Sequence, residues 1–388
     1  MNNQQSTGNG AFSLQPSAFG LYIGLISGTS MDGIDAALIE IGDEKIYTIA
    51  TRFVSFDDDL VTDLDDVVSS TDGASLDDLG QLDTRIGQSF ATAALDLIDQ
   101  AGIKSDDVRA IGSHGQTIRH RPDLAYPFTM QIGDPNVIAT QTSIATVADF
   151  RRRDVALGGE GAPLLPVFHS AVFGTPEEDR LIVNIGGIAN ITRLLRGQPV
   201  TGYDTGPGNT LLDGWILEHR TQALDVDGAW AASGTVDDAL LKKMKSDTYF
   251  ARNPPKSTGR EYFNQAWVNH VIERLGSPVA DADVQSTLAE LTVSTIADAA
   301  AEHGAAKVFL CGGGVHNRHL MARLEARLGG RIPESTAVLG VDPDFVEAAA
   351  FAWLAARTLG AQSGNLPAVT GAREKAVLGA IYPSGRQS

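Results

Sequence analysis

The chain has 388 residues, of which 43% are hydrophobic and 20% charged, so it has ample material for packed cores and lacks the composition of a disordered protein. Its 48 acidic and 30 basic side chains give a net charge of −18, which argues against a general nucleic-acid binder and against a protein of anionic membranes. The single cysteine, Cys311, excludes an intrachain disulfide and a multi-cysteine metal cluster, as expected in a reducing compartment. At about 100–200 residues per domain, the length predicts two or three domains.

The first twenty residues are polar, contain no Lys or Arg, and lack a sustained apolar core. This composition does not match a secretory signal and predicts a flexible tail over residues 1–20. No apolar run approaches the roughly 20 residues that span a bilayer. We therefore expect a cytoplasmic protein that binds neither nucleic acid nor membrane.

In the first half of the chain, three strands are predicted first, joined by turns that contain glycine. They cover residues 21–26, 34–41 and 45–53. A helix with apolar residues at helical spacing follows over 82–98. A strand over 108–111 then ends at the glycine-rich turn Gly112–Gly115.

The same order of elements is repeated in the second half. Its three strands cover residues 181–185, 188–195 and 200–203. A helix over about 284–302 precedes a strand over 307–310, which again ends at a glycine-rich turn. This repetition predicts two α/β domains that face one another across a ligand-binding cleft. We place them at 21–147 and 148–369, with residues 370–388 packing back on the first domain.

The turn after the first strand has the residues of a phosphate-binding loop. Gly28 lets the backbone approach a phosphate closely, and successive amides can form a concavity for anions. Thr29 and Ser30 add hydroxyl donors, and Asp32 can orient Mg²⁺ through its water shell. An ordinary hairpin turn is the alternative, but a second glycine turn at 186–187, in the corresponding place of the other half, favours the functional interpretation. Because the chain lacks the P-loop pattern G-x-x-x-x-G-K-[ST], amides, hydroxyls and Mg²⁺ would have to bind the phosphates.

Three further features can carry chemistry. Asp204 follows a predicted strand, where it can act either as a general base beside the cleft or as a turn or capping residue. The glycine triplet 312–314 can admit the flat part of a nucleotide, or it can form a plain loop. Two islands of positive charge, 119–121 and 151–153, can bind carboxylates or phosphates, although a solvated face or pairing with acids is the commoner role of an arginine.

Six segments of the chain, taken together and in this order, resemble the anhydro-N-acetylmuramic acid kinase family. They are SGTSMDGID at 27–35, GSHGQT at 112–117, DFRRRDVALGGEG at 149–161, GYDTGPGN at 202–209, PKSTGRE at 255–261 and CGGGVHN at 311–317. The resemblance extends from about Leu21 to Pro383. That family belongs to the superfamily of sugar kinases, actin and heat-shock chaperone ATPases. It implies two duplicated actin-like (RNase H-like) domains with the active site in the cleft between them.

The resemblance also implies a reaction. The family hydrolytically opens the 1,6-anhydro ring of 1,6-anhydro-N-acetylmuramic acid and phosphorylates the released oxygen with ATP. The products are N-acetylmuramic acid 6-phosphate and ADP, and the reaction belongs to peptidoglycan recycling. The implied catalytic base is Asp204, which takes a proton from the attacking water. ATP, Mg²⁺ and a homodimer are expected.

The resemblance assigns the binding residues as follows. ATP-binding residues are expected at Gly28, Thr29, Ser30, Met31, Asp32, Gly33, Ile34, Asp35, Gly186, Gly187, Gly312, Gly313 and Gly314. The substrate carries a lactyl carboxylate, and Arg153 is expected to contact that carboxylate or the nearby sugar. Gln116, Thr117 and Glu347 are expected around the substrate.

Two other functions remain open from the residues alone. One is a conventional sugar kinase of the same superfamily, which phosphorylates a free hydroxyl without adding water. The other is a nucleotide-gated binding or scaffold protein, like actin and the chaperones, which associates with a protein partner and has no sugar-stimulated ATP turnover. The sugar-suited GSHGQT segment and its neighbouring arginines count against the binding protein.

Overall fold

The computed structural model of the protein describes residues 19–28, 30–42, 46–69, 74–254, 256–302 and 306–385. Thr29, which the sequence assigns to ATP binding, lies outside the described residues, as does the predicted tail up to residue 18.

The elements of the first half are β1 (Gly20–Ser27), β2 (Gly33–Ile41), β3 (Ile46–Ser55), α1 (Asp58–Ser69), α2 (Leu76–Ala101), β4 (Val108–Arg121), β5 (Phe128–Ile132), α3 (Pro135–Thr142) and β6 (Thr146–Ala148). The elements that follow are α4 (Arg152–Ala156), α5 (Leu165–Phe173), β7 (Arg180–Ile185), β8 (Ile188–Leu194), β9 (Thr201–Pro207), α6 (Thr210–Arg220), α7 (Ala229–Ser233), α8 (Asp238–Lys245), α9 (Gln265–Leu275), α10 (Asp281–Ala301), β10 (Lys307–Cys311), α11 (Arg318–Arg327), β11 (Glu334–Ser335), α12 (Val346–Leu359), α13 (Pro367–Thr370) and β12 (Ala380–Tyr382).

The limits of α2 show how local sequence signals set a helix. The Ser75 hydroxyl accepts a hydrogen bond from the Asp78 N–H at 3.0 Å and so caps the amino end. Gly102, with φ of 67°, ends the helix in the left-handed conformation. The helix predicted over 82–98 is confirmed and is longer at both ends, because these capping residues lie outside its apolar stripe.

Five strands follow the same order in both sheets, and the first sheet has β12 and β5 in addition. The first runs β12-β6-β4-β1-β2-β3, with β5 paired to β4, and the second runs β11-β10-β7-β8-β9. In each sheet a three-stranded antiparallel meander is followed by two strands that run parallel to its first strand. The predicted fold class, two duplicated α/β units of the actin-like (RNase H-like) type, is confirmed.

Two predicted strand ends are wrong. The strand expected to stop at Gly112 continues to Arg121, because β5 pairs with its second half. The strand expected to stop at residue 203 continues to Pro207, because β8 pairs with it that far. Asp204 therefore lies inside β9 rather than in a turn after it.

The core is built in layers around these sheets. Helices α1 and α2 cover one face of the first sheet, and α10 and its neighbouring helices cover the outer face of the second. Between the sheets lie α5 and α12, whose apolar side chains share one core with the inner faces of both sheets. Gly24 and Gly112 let α12 approach closely, since a Cβ at either position would overlap the helix backbone. This layer brings the two sheets together around a shared cleft.

The carboxyl-terminal segment also contacts the first sheet, because β12 pairs antiparallel with β6. The domain limits at residues 147 and 369 stay a prediction. In the described part of the chain, no helix is both long and apolar enough to cross a membrane.

Candidate active site

A cleft of about 780 Å³ opens between the two sheets, at the carboxyl ends of their parallel strands. Ser27 from the end of β1 and Gln116 from β4 line it on the first-sheet side. Asn184 near the end of β7 and Gly312 just after β10 line it on the second-sheet side. Ligands commonly bind at this edge of α/β sheets, so the cleft is the candidate active site.

The turn between β1 and β2 contributes only some of its residues to the cleft. Those that line it are Gly28, Ser30, Asp32 and Asp35. Met31 and Ile34 pack instead into the core beneath α1 and α2, and a Cβ on Gly33 would overlap the Val54 carbonyl oxygen. These three predicted ATP-binding residues therefore pack against the core side of the turn and do not line the cleft.

Acidic side chains gather beside that turn. Burial raises the pKa of Asp35 to about 7, and the neighbouring carboxylates of Glu347, Asp32 and Asp344 act in the same direction. The Ser30 hydroxyl donates a hydrogen bond to Asp32. Among the described residues, no group of three or more His, Cys, Asp or Glu side chains could hold a metal ion directly.

The glycine turns of the second sheet face the same cleft. Gly186, Gly187, Gly312 and Gly313 line it, whereas Gly314 is buried against the Ile185 side chain. Gly312 has φ of +82°, and a Cβ there would overlap the Asn184 side chain, so the position requires glycine. Four of these five predicted glycines thus expose backbone to the cleft.

Asp204 is held from several sides. Its carboxylate accepts a hydrogen bond from the Thr258 N–H at 3.0 Å, and its backbone N–H donates to the Lys256 carbonyl oxygen at 3.2 Å. The Tyr249 hydroxyl donates to the Asp204 carbonyl oxygen at 2.7 Å. These contacts fix the backbone on both sides while the side chain lines the cleft.

The surroundings of Asp204 favour its protonated form. Burial raises the pKa of this carboxyl to about 7, and the charges of Glu160 and Glu261 add to that effect. The Thr258 N–H and the Lys256 ammonium act in the opposite direction. A carboxylate with a pKa near neutrality is suited to accept a proton during catalysis.

On the first-sheet side, polar groups of β4 line the cleft. The Ser27 hydroxyl donates to Gln116 Oε1 at 2.6 Å, and Gln131 Nε2 donates to the Thr117 hydroxyl at 3.2 Å. Both predicted substrate residues, Gln116 and Thr117, lie in the cleft. His114 lies beside them and was not predicted.

His114 is neutral and orients an arginine. Arg151 Nε donates to His114 Nε2 at 2.8 Å, so the ring proton is on Nδ1, which donates to the Gly115 carbonyl oxygen at 2.9 Å. Burial and the Arg151 charge hold the pKa of His114 well below its usual value. Glu347, a predicted substrate residue, also lines the cleft, and it accepts a hydrogen bond from Asn184 Nδ2 at 3.4 Å.

Of the two islands of positive charge, at 119–121 and 151–153, one residue lines the cleft. Arg151 lines it, whereas Arg153 is exposed and is not among the described residues that line the cleft. In the other island, Arg119 Nη1 and Nη2 donate to the carbonyl oxygens of Val68 and Val67 at 3.0 and 2.9 Å. Arg119 therefore caps the carboxyl end of α1.

Among the polar residues that line the cleft and were given no role by the sequence are His114, Asn184, Asp213 and Arg260. His114 and Arg260 belong to quoted segments, GSHGQT and PKSTGRE, so the segments located them although nothing indicated their orientation. Asp213 lies on α6, outside the six quoted segments, so the sequence did not indicate that it lines the cleft.

The comparison with known families decides the assignment. The family model described as anhydro-N-acetylmuramic acid kinase matches residues 20–384. The chain belongs to the anhydro-N-acetylmuramic acid kinase family.

Curated relatives carry the same name. The protein named anhydro-N-acetylmuramic acid kinase from Xanthomonas campestris pv. campestris (strain 8004) is 51% identical over 370 residues, which cover 94% of this chain and 97% of that relative. Those from Xylella fastidiosa (strain Temecula1) and Aliivibrio fischeri are 50% and 49% identical, cover 95% and 94% of this chain, and are themselves covered to 98% and 99%. Among solved structures, the (R)-2-hydroxyglutaryl-CoA dehydratase component A from Acidaminococcus fermentans superposes with a TM-score of 0.46 at 14% identity, covering 87% of this chain and 98% of its own.

The anhydro-N-acetylmuramic acid kinase family therefore accounts for nearly the whole chain, as its six segments predicted. The predicted kinase class and the predicted use of ATP are confirmed. A conventional sugar kinase and a binding protein are both disfavoured.

Proposed function

We propose that this kinase hydrolytically opens the 1,6-anhydro ring of 1,6-anhydro-N-acetylmuramic acid and phosphorylates the released oxygen with ATP, giving N-acetylmuramic acid 6-phosphate and ADP in peptidoglycan recycling. The relatives' names support the substrate. The observation that carries the mechanism is the position of Asp204, a carboxylate with a pKa of about 7. It lines the cleft from β9 of the second sheet, whereas Gly28, Ser30 and Asp32 line it from the first sheet.

Asp204 is proposed as the general base. It accepts a proton from a water whose oxygen bonds to the anomeric carbon, while the bond from that carbon to the bridging oxygen breaks. The electron pair so released forms the bond from the bridging oxygen to the γ-phosphorus, and the bond from phosphorus to the ADP oxygen breaks. The water's hydroxyl thus remains on the sugar, and its proton passes through Asp204 to solvent. Base catalysis of this kind contributes about 10²–10⁴-fold.

The nucleotide side of the cleft is proposed to consist of backbone. Gly28, Gly186–Gly187 and Gly312–Gly313 offer amides and bare Cα atoms to phosphates and ribose. Ser30 adds a hydroxyl. Positioning and charge stabilisation, rather than covalent chemistry, supply most of the acceleration in phosphoryl transfer.

Mg²⁺ fits this side of the cleft. The metal usually keeps several waters and is bound through one or two carboxylates together with substrate phosphates. Asp32 and Asp35 line the cleft beside the phosphate-binding turn, and Asp32 would hold the ion through water. When bound, Mg²⁺ neutralises negative charge on the phosphates. Burial is the main cause of the raised pKa of Asp35, and the bound ion would relieve the repulsion by neighbouring carboxylates that adds to it.

The sugar is proposed to lie against β4 and the first turn of α12. Gln116, Thr117 and Glu347 line the cleft there, and their hydroxyl, amide and carboxylate groups suit sugar hydroxyls and an acetamido group. Arg153 remains our proposed contact to the lactyl carboxylate. Because its side chain is exposed on α4, that contact requires the side chain to turn toward the cleft when substrate binds.

A homodimer in the cytoplasm is proposed from the resemblance to the family. Light scattering on the purified chain tests the oligomeric state, with twice the mass of one chain as the expected result.

Sugar-dependent release of ADP tests the proposed reaction. Turnover of Mg-ATP should be strongly stimulated by 1,6-anhydro-N-acetylmuramic acid and not by glucose, N-acetylglucosamine or N-acetylmuramic acid. Equal or greater stimulation by one of these three sugars, which lack the anhydro bridge, would instead support a conventional sugar kinase. An ATP turnover that no sugar changes would contradict both.

A further inference from the structure

The cleft is poor in positive charge although its proposed ligands are anions. Among the described residues that line it, the only arginines are Arg151 and Arg260, and no lysine lines it. The chain carries a net charge of −18, so its average field repels ATP and a carboxylated sugar. These two guanidinium groups are therefore the side chains that can reverse the field within the cleft.

Arg151 is already engaged by the protein. Its Nε donates to His114 Nε2 and its Nη1 donates to the Gly161 carbonyl oxygen, both at 2.8 Å. Its neighbours include Glu347, whose charge acts on the guanidinium. Arg151 thus lies on the first-sheet side, among the groups proposed to bind the sugar.

Arg260 is not engaged in this way. Its Nε is buried and has no hydrogen-bond partner among the described residues. Burial lowers the pKa of the guanidinium, and the carboxylates of Asp213 and Asp32 oppose that effect. A desolvated guanidinium donor that lacks a partner is unfavourable, and a planar pair of phosphate or carboxylate oxygens satisfies it with two charge-assisted hydrogen bonds.

The position of Arg260 indicates which anion it meets. Arg260 lies two residues after Thr258, whose N–H donates a hydrogen bond to the Asp204 carboxylate. Its backbone is therefore on the same side of the cleft as the proposed base. Its charge interacts with Asp32 of the phosphate-binding turn on the opposite side. In the proposed reaction, the γ-phosphoryl group is the anion that lies between the base side and that turn.

We propose that Arg260 binds the γ-phosphoryl group of ATP and stabilises the charge on its oxygens during transfer. This inference rests on the proposed function. An arginine that meets a transferring phosphoryl group is worth about 10³–10⁵ in kcat in other phosphoryl-transfer enzymes. Removal of one preorganised donor from a site that stabilises a developing anion typically costs about 10²–10³-fold in kcat, so we expect an effect on the order of 10²-fold or more.

Arg260→Met and Arg260→Lys test the assignment, with Arg274→Gln on the exposed face of α9 as the control. For each variant, kcat is measured with the anhydro sugar, and the affinities for Mg-ADP and for a non-hydrolysable Mg-ATP analogue are measured without it. We expect Arg260→Met to lower kcat at least about 100-fold and to weaken the ATP analogue at least about tenfold, with ADP affinity changed less than threefold. Arg260→Lys should retain part of the analogue affinity, because it keeps the charge and loses the paired donors.

The binding measurements separate this inference from the proposed function. Equal losses of ADP and ATP-analogue affinity would overturn it, as would a kcat within threefold of the unmodified enzyme. If Arg260→Met does not fold, as judged by circular dichroism, the same comparison is made on Arg260→Lys. If the unmodified enzyme phosphorylates another sugar, the proposed substrate fails, yet the selective loss of ATP-analogue affinity would still support Arg260 as a γ-phosphoryl ligand.

Discussion

Replacing Asp204 with asparagine should make the enzyme more stable and much less active. The change removes the negative charge but keeps a side-chain oxygen that can accept the Thr258 N–H. Catalysis loses its base, so kcat with the anhydro sugar should fall about 10²–10⁴-fold. The fold loses a charge that its surroundings disfavour, so the free energy of unfolding should rise.

The size of the stability gain follows from the pKa. Asp204 ionises near pH 7 in the folded protein and near 3.8, the ordinary value, when unfolded. A carboxyl group whose folded-state pKa is raised stabilises the fold below its unfolded pKa, and that stability is lost as the pH rises through the folded value. At about 1.36 kcal/mol for each pKa unit, the raised pKa lowers the free energy of unfolding by roughly 4 kcal/mol at pH 8.5, where the carboxyl group is ionised in both states. At pH 5 the reduction is roughly 2 kcal/mol, because the group is then ionised in the unfolded chain and protonated in the folded one. Solvent in the cleft reduces both figures, which are upper bounds.

Denaturant unfolding at pH 5 and pH 8.5 measures this difference, with Asp66→Asn on the exposed face of α1 as the matched control. Asp204→Asn should be the more stable protein at both pH values, and its advantage should be larger at pH 8.5. In the unmodified enzyme, kcat/KM should fall about tenfold for each pH unit below about 7, because the base must be ionised. An advantage that does not change with pH, or a variant that keeps more than a tenth of the activity, would refute this account of Asp204.

Three further substitutions test the fold and the sugar side. Arg153→Ala should raise KM for the anhydro sugar at least about tenfold through loss of a charged hydrogen bond, and an equal effect from the exposed neighbour Arg152→Ala would contradict a specific contact. Gly24→Ala should lower the free energy of unfolding by about 2 kcal/mol or more, because its Cβ would overlap the α12 backbone. The control Gly80→Ala, in an open position on α2, should instead raise it by about 0.5–1 kcal/mol. The opposite order in denaturant unfolding would count against this packing. Arg119→Met should lower the free energy of unfolding by about 1–2 kcal/mol, because Arg119 hydrogen-bonds the last turn of α1. The same variant should leave kcat unchanged. A large loss of kcat at unchanged stability would place Arg119 at the active site instead.

The repeated order of strands and helices could be predicted from the sequence because it depends on local periodicity. Continuous apolar runs and glycine turns located the strands of each meander with errors of at most four residues at either end. The short strands β5, β6, β11 and β12 were missed, since their pairing depends on distant partners. For the same reason, Asp204 was expected after a strand, whereas pairing with β8 keeps it inside β9.

The sequence predicted which segments contribute to the site, but not which of their side chains point into the cleft. Glycine-rich turns imply exposed backbone, and four of the five predicted glycines after β7 and β10 line the cleft. Which arginine faces the cleft is decided by tertiary contacts. Arg151 is turned inward by His114 and Gly161, whereas Arg119 is engaged at the end of a helix. Nothing in the run of arginines distinguishes these roles.

The role of Asp204 in activating water is tested by the mass of the product made from 1,6-anhydro-N-acetylmuramic acid and Mg-ATP. We expect the sugar to gain one water and one phosphoryl group in a single turnover, with one ADP formed. A product that gains the phosphoryl group but retains the anhydro ring would contradict the role of Asp204 as the base that activates water.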